Sequence, residues 1–316
     1  MIRFPRNVWR RFIWRAALVA GMLAPVAGAC QPVVSPVSQP APRVVTTSNI
    51  LGEWARQVGG DRVTVLSLIR VGSDAHTFQP GAEEVTRVAA ADLVFTVGLG
   101  LEAGWLDKLL VNASADPARV VALGELVDPL VLALPGDKLA PWDPHFWFDP
   151  LRVKTAIGAI ASQLSRLDPA GAAQYAANAQ AYREKLDQLD TWIEGTVAQV
   201  PQEQRLLVTT HEGLGYFARR YGFAVVGTVI PGLSTEREPS AQELAQLVGS
   251  IQRQRAPAIF IEQGVSDRLA LSIAQETGVQ VVRSLYVESL GDPGSGADSY
   301  LGLMRTDVNL IVEALR

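Results

Sequence analysis

Three histidines, His76, His145 and His211, are the only ones in the chain, and each stands in a loop-like stretch. His76 lies in GSDAHTFQP, His145 in DPHFWFDP and His211 in THEGLGYF. A single histidine in such a setting is more often a hydrogen-bonded structural residue than a ligand. Three together, confined to loops rich in Asp, Pro and Gly in a histidine-poor chain, point to one shared task. Neutral imidazole is a metal ligand, and three imidazoles need one more donor to close a four-coordinate site. Glu288, in SLYVESLG just after the last strand run, stands at the matching place in the chain. Three imidazoles and a carboxylate suit Zn2+, or Mn2+ where oxygen donors count for more.

The elements that must position these residues alternate. Strand-like runs fall at 43–47, 62–69, 93–98 and 119–122, separated by helical patterns at 49–58 and 82–91 and by a short helix within GLGLEAGWLDKLL. Asp149-Pro150 opens a helix to Leu167, the carboxylate capping free N–H groups and the proline suiting the first helical position. His145 is therefore expected in a rigid turn just ahead of that helix, presented at an edge. A second helix, from Pro169 to about Val200, would be roughly 45 Å long and reads as a rigid rod between two lobes. The alternation then restarts, with strands at 205–210, 223–229, 257–262 and 279–282 and helices at 213–221, 240–254, 267–277 and 298–315. This is an α/β pattern: two Rossmann-like lobes with parallel sheets, 43–168 and 201–316, joined by one long helix at 169–200. Ligand sites in such sheets form at the carboxyl ends of strands, so facing lobes would bring the three histidines to one cleft.

The amino terminus reads as a targeting segment. Five arginines precede an apolar run, Ala16–Ala29, that is too short to span a bilayer comfortably. Residues 1–29 are thus a signal peptide. Ala27-Gly28-Ala29-Cys30 resembles a lipobox with Ala in place of the usual Leu at its first position, which would make Cys30 a lipidated amino terminus. An ordinary signal peptide with an incidental Cys is the alternative. Residues 31–42, with four prolines, read as an extended tether. Cys30 is the only cysteine, so no intramolecular disulfide supports the fold. The mature chain carries 32 acidic against 23 basic residues, about −9. That balance favours cations and gives no basic surface for nucleic acid.

With these motifs in place, the sequence resembles the metal-receptor subunits of bacterial ABC importers, the zinc- and manganese-binding solute-binding lipoproteins. The resemblance covers nearly all of the mature chain. Family members carry one ligand in Gly-x-Asp-Pro-His-x-aromatic-x-Pro, here GSDAHTFQP with Ala75 replacing Pro, and another in Asp-Pro-His-x-Trp-x-Asp-Pro, here DPHFWFDP with Phe148 where Leu is common. The third precedes a Gly-Tyr-Phe helix and is more often His in zinc-type members and Glu in manganese-type members; here it is His211. The fourth is commonly Asp, and Glu288 departs from that. GLSTEREPSAQEL and IFIEQGVSDRLALSIAQETG also look like the family.

The resemblance implies a non-enzymatic monomeric receptor, anchored outside the cytoplasmic membrane in a periplasmic or cell-surface setting, that delivers zinc, or alternatively manganese, to an ABC permease. The segment LPGDKLAPW lacks the His-rich loop common in Gram-negative zinc receptors, a loop the site does not require. A zinc hydrolase with Glu212 as base is a rival reading, and a surface adhesin with a vestigial site is a third. Asp74, Asp143 and Asp149 are candidate partners for the imidazoles' second nitrogens or simple turn and cap residues. Glu236 and Glu238 fall in a loop that would close over the site or face the permease, and Trp54, Trp105 and Trp142 read as core or interface packing.

Overall fold

The computed structural model describes residues 40–132, 142–232, 235 and 237–316. The segment expected to be a signal peptide, Cys30, most of the expected tether, Glu236 and nearly all of LPGDKLAPW lie outside the described residues.

Each half of the chain builds one four-stranded parallel sheet. The first contains β1 (Arg43–Thr46), β2 (Thr64–Ser67), β3 (Leu93–Thr96) and β4 (Val120–Ala122), in the order β2-β1-β3-β4. The second contains β5 (Leu206–Thr209), β6 (Ala224–Thr228), β7 (Ala258–Glu262) and β8 (Gln280–Leu285), in the order β6-β5-β7-β8. The two orders are the same, so the halves share a topology without sharing an obvious sequence repeat. Parallel neighbours need crossovers. These are α1 (Asn49–Gly59), α2 (Ala82–Ala89) and α3 (Leu106–Asn112) in the first half, and α6 (Gly215–Tyr221), α7 (Ala241–Gln254) and α8 (Arg268–Thr277) in the second.

Between the sheets run α4 (Pro150–Leu167) and α5 (Ala172–Val197), and α9 (Tyr300–Leu315) closes the chain. The expected rod is therefore α5, 26 residues or about 39 Å long, preceded by a 3-10 turn at Pro169–Gly171. It packs on α4, α1 and α9. Its buried side, Tyr175, Ala179, Tyr182, Leu186, Leu189 and Ile193, recurs at helical spacing.

One core runs from the first sheet through α1, α4, α5 and α9 to the inner face of the second sheet. A smaller core lies on the outer face of that sheet, under α7 and α8. Strand alternation divides them: Leu207, Ala258 and Phe260 face the first core, while Val208, Ile259 and Ile261 face the second. The central strands β5 and β7 of the second sheet are thus covered on both faces. No helix among the described residues is long and apolar enough to cross a membrane.

Candidate metal centre

The four expected residues meet at the carboxyl ends of the two sheets. His76 follows β2, His145 lies between β4 and α4, His211 follows β5 by two residues, and Glu288 follows β8 by three. One donor atom from each lies within 4.8 Å of every other. Glu288 Oε1 is 3.1 Å from Nε2 of His145, 3.3 Å from Nε2 of His211 and 3.7 Å from Nε2 of His76. The Nε2 atoms of His145 and His211 are 3.2 Å apart. Ligand bonds of about 2.0–2.1 Å in a tetrahedron give donor-to-donor edges of about 3.3–3.4 Å. The separations bracket that value.

Local structure explains why each group points inwards. Asp149 caps α4, its Oδ1 accepting from Leu151 N at 3.0 Å, with Pro150 in the first turn. The aromatic residues before it form a 3-10 turn in which Phe146, Trp147 and Phe148 are buried. Trp147 Nε1 donates to Val287 O at 3.0 Å, so the His145 turn is tied directly to the Glu288 loop. That loop is held on its other side, where Leu290 N donates to Asn49 Oδ1 at 2.9 Å. His76 is set by Asp74, whose Oδ1 accepts its backbone N–H at 2.8 Å, and Trp105 Nε1 binds the neighbouring Ala75 O at 3.0 Å. Asp74 therefore fixes the loop through the backbone rather than the imidazole.

The second nitrogens of two imidazoles are committed to carboxylates. His145 Nδ1–H donates to Asp143 Oδ1 at 2.8 Å, and His211 Nδ1–H donates to Glu262 Oε1 at 2.7 Å. Each bond keeps the Nδ1 proton in place, so that Nε2 is the nitrogen presented to a ligand once its own proton leaves, and raises its basicity. Glu262 was not singled out from the sequence. It ends an otherwise apolar buried strand, AIFIE, and a carboxylate in that position is the signal that could have found it. Strands β5 and β7 are neighbours with Thr209 opposite Phe260. Their adjacent ends deliver His211 and Glu262 to one spot across 51 residues.

His145 and His211 are fully buried, with no exposure, and the side chains of His76 and Glu288 are 6% and 10% exposed. The expectation that His145 stands at an edge is thus corrected: facing elements from both halves enclose it. His76 Nε2 and Glu288 Oε2 are buried without a hydrogen-bond partner. Burial works to raise the Glu288 carboxyl, but the three imidazoles overcome it and hold it well below the usual carboxylate range. Three carboxylates, Asp143, Glu262 and Glu288, therefore sit against three imidazoles in a site with little solvent exposure. Imidazole lone pairs and a carboxylate converging at such distances are reconciled by a positive charge among them, which is what the chemistry of a divalent cation supplies.

Other expected groups take structural places. Glu212 Oε1 accepts from Thr228 Oγ1 at 3.3 Å. Glu238 is exposed. Trp54 and Trp105 are buried, while Trp142, expected to pack, is 47% exposed beside Val131.

The family described as "ZnuA: Zinc-uptake complex component A periplasmic" matches residues 44–314. The manganese-binding lipoprotein MntA of Halalkalibacterium halodurans is 32% identical over 273 residues, covering 86% of this chain and 88% of that protein. Among solved structures, the periplasmic zinc binding protein TroA from Treponema pallidum superposes with a TM-score of 0.79 at 29% identity, over 87% of this chain and 99% of that one. The Mn-bound periplasmic metal binding protein from Candidatus Liberibacter asiaticus gives a TM-score of 0.77 at 27% identity, over 87% and 100%.

Proposed function

Because the chain belongs to the family of periplasmic zinc-uptake complex component A, we propose that it is an extracytoplasmic receptor that captures a divalent metal ion and hands it to an ABC transporter permease. The observation that carries this reading is the convergence of four donor atoms, one each from His76, His145, His211 and Glu288, within 4.8 Å. The ion is cargo: it is bound by the two lobes together and must leave again, and no chemical step is required of the protein. The name "lipoprotein" carried by the MntA relative supports anchorage of the mature chain through Cys30.

Zinc is the proposed cargo. Three nitrogens and one oxygen at near-tetrahedral separations match its coordination, and nitrogen donors favour it over manganese. The second reading, manganese, is supported by the manganese-binding name of the MntA relative and by the Mn-bound structure that superposes on this fold. The decisive experiment is metal analysis of the mature protein recovered from its own cell envelope, beside protein reloaded in vitro with each ion. One zinc per chain in the recovered protein supports zinc, and one manganese supports the alternative. If the reloaded protein holds neither ion stoichiometrically, the receptor reading fails.

A further inference from the structure

Helix α6 grips both ends of DPHFWFDP. At the front end, Tyr216 Oη donates to Asp143 O at 2.8 Å. Gly215 approaches so closely that a Cβ there would stand 2.5 Å from Asp143 Oδ2. At the far end, Arg220 Nε lies 3.6 Å from Oδ1 of Asp149, the cap of α4. The same guanidinium reaches α5, where Nε donates to Asp190 Oδ1 at 2.6 Å and Nη2 pairs with Asp190 Oδ2. Tyr221 Oη adds a bond to Asp190 Oδ1 at 2.8 Å. The side chains of Arg220, Asp190 and Asp149 are only 19%, 11% and 13% exposed.

Resting on the receptor reading above, we propose that Arg220 is a positioning residue for the metal site, holding His145 and His211 as a preformed pair. His145 lies between the two gripped aspartates, and His211 lies just ahead of α6, so both histidines are referenced to one short helix. Arg220 fixes that helix to the rod through its paired bonds to Asp190 and lies within ion-pair range, 3.6 Å, of the α4 cap Asp149, which Arg152 also approaches at 3.3 Å. Its product is the 3.2 Å separation of the two Nε2 atoms, close to the edge of a tetrahedral site. A planar guanidinium can engage two carboxylates in a set geometry, whereas an ammonium is a single flexible point charge. Charge alone is therefore not enough for this role.

The test is Arg220→Lys in the full mature chain, read with Co2+ as a spectroscopic probe and by Zn2+ competition against a chelator. The expected result is native far-UV circular dichroism, an altered Co2+ ligand-field spectrum, and zinc affinity reduced on the order of ten-fold, as for loss of a group supporting metal ligands. Tyr182→Phe is the control. It removes a 2.9 Å bond from the same α5 to Glu53, and is expected to lower the melting temperature while leaving the Co2+ spectrum unchanged. Should Arg220→Lys not fold, Tyr221→Phe loosens the same tie and is expected to move spectrum and affinity in the same direction by less. A folded variant with a lowered melting temperature but wild-type spectrum and affinity overturns the proposal, making the tie merely structural. A wild-type chain that takes up neither ion overturns the receptor reading, and this proposal with it. Wild-type uptake beside an unaltered variant overturns this proposal alone.

Discussion

Glu262 Oε1 lies 2.7 Å from Nδ1 of His211 and 3.2 Å from the same residue's backbone nitrogen. One carboxylate oxygen thus sets both the ring and the main chain of a candidate ligand. Glu262→Gln keeps an acceptor of the same size but removes the charge that makes the imidazole more basic. Zinc affinity should fall about 10- to 100-fold, with the fold intact. Competition against a chelator measures this, and unchanged affinity would reduce Glu262 to a packing residue.

The pH dependence follows from the same carboxylates. Burial opposes a charged imidazole at His145, but the charge of Glu288, with the hydrogen bond and charge of Asp143, lifts it to about 9. His211 is also held well above the ordinary range, against burial, chiefly by Glu262. An unfolded-chain histidine titrates near 6.5. The contribution of His145 to the metal-free fold is therefore fully present below pH about 6.5 and is lost as pH rises through about 9. A metal ion must displace the proton, so affinity should climb across that window and fall towards acid. Histidine's ordinary range alone would have placed the change lower, near pH 6 to 6.5. Calorimetry in buffers of different ionisation enthalpy should detect release of at least about one proton per ion at pH 7.5. Release of none would mean the carboxylates do not hold a proton on the cluster.

Glu288 stands where the resemblance implies Asp, and its loop is pinned on both sides of it. Trp147 fastens Val287, Asn49 fastens Leu290, and Ser289 Oγ accepts from Gly72 N at 2.9 Å. Glu288→Asp draws the carboxylate back by about one C–C bond, about 1.5 Å. The pinned loop cannot follow without breaking these ties. Zinc should bind more weakly than to wild type, and more weakly still to Glu288→Gln. If structural-type zinc binding of roughly 10–16 kcal/mol is shared among four ligands, one charged ligand accounts for about 3 kcal/mol, or a hundred-fold. An Asp variant with wild-type affinity would show that the loop moves freely.

The eight strands were legible in order because each is a short β-branched or apolar run bounded by turn residues, as in RVVT and LVFT. The meeting of His76, His145, His211 and Glu288 was legible for a related reason. Each follows a strand or, for His145, directly precedes a helix, and parallel sheets bring strand ends to one side. Glu262 escaped because its partner is 51 residues away and depends on β5 lying beside β7, which local pattern does not encode. The tie between Arg220 and Asp190 escaped likewise: two charges on separate helices read as solvated surface until the helices are packed. The depth of His145 was misjudged because enclosure comes from elements beyond its own turn.

Asp307 is a last buried acid that periodicity hides within α9. Its Oδ1 accepts from Tyr286 N at 3.0 Å, at the base of the Glu288 loop, while Oδ2 has no partner. Burial raises its carboxyl to about 8, with the nearby charge of Glu262 adding to the shift and the Tyr286 bond opposing it. In the unfolded chain it ionises near the ordinary value of 3.8. Stability from this group is therefore full below pH about 4 and is lost as pH rises towards about 8, where the folded form must ionise a buried group. Asp307→Asn keeps the oxygen that receives the Tyr286 N–H and removes the ionisation. The variant should melt higher than wild type at pH 8, by about 2–4 °C for each kcal/mol recovered, and close to wild type at pH 4. Thermal denaturation of the metal-free protein at the two pH values decides it, and a variant equally shifted at both would mean that shape rather than charge at Asp307 governs the loop.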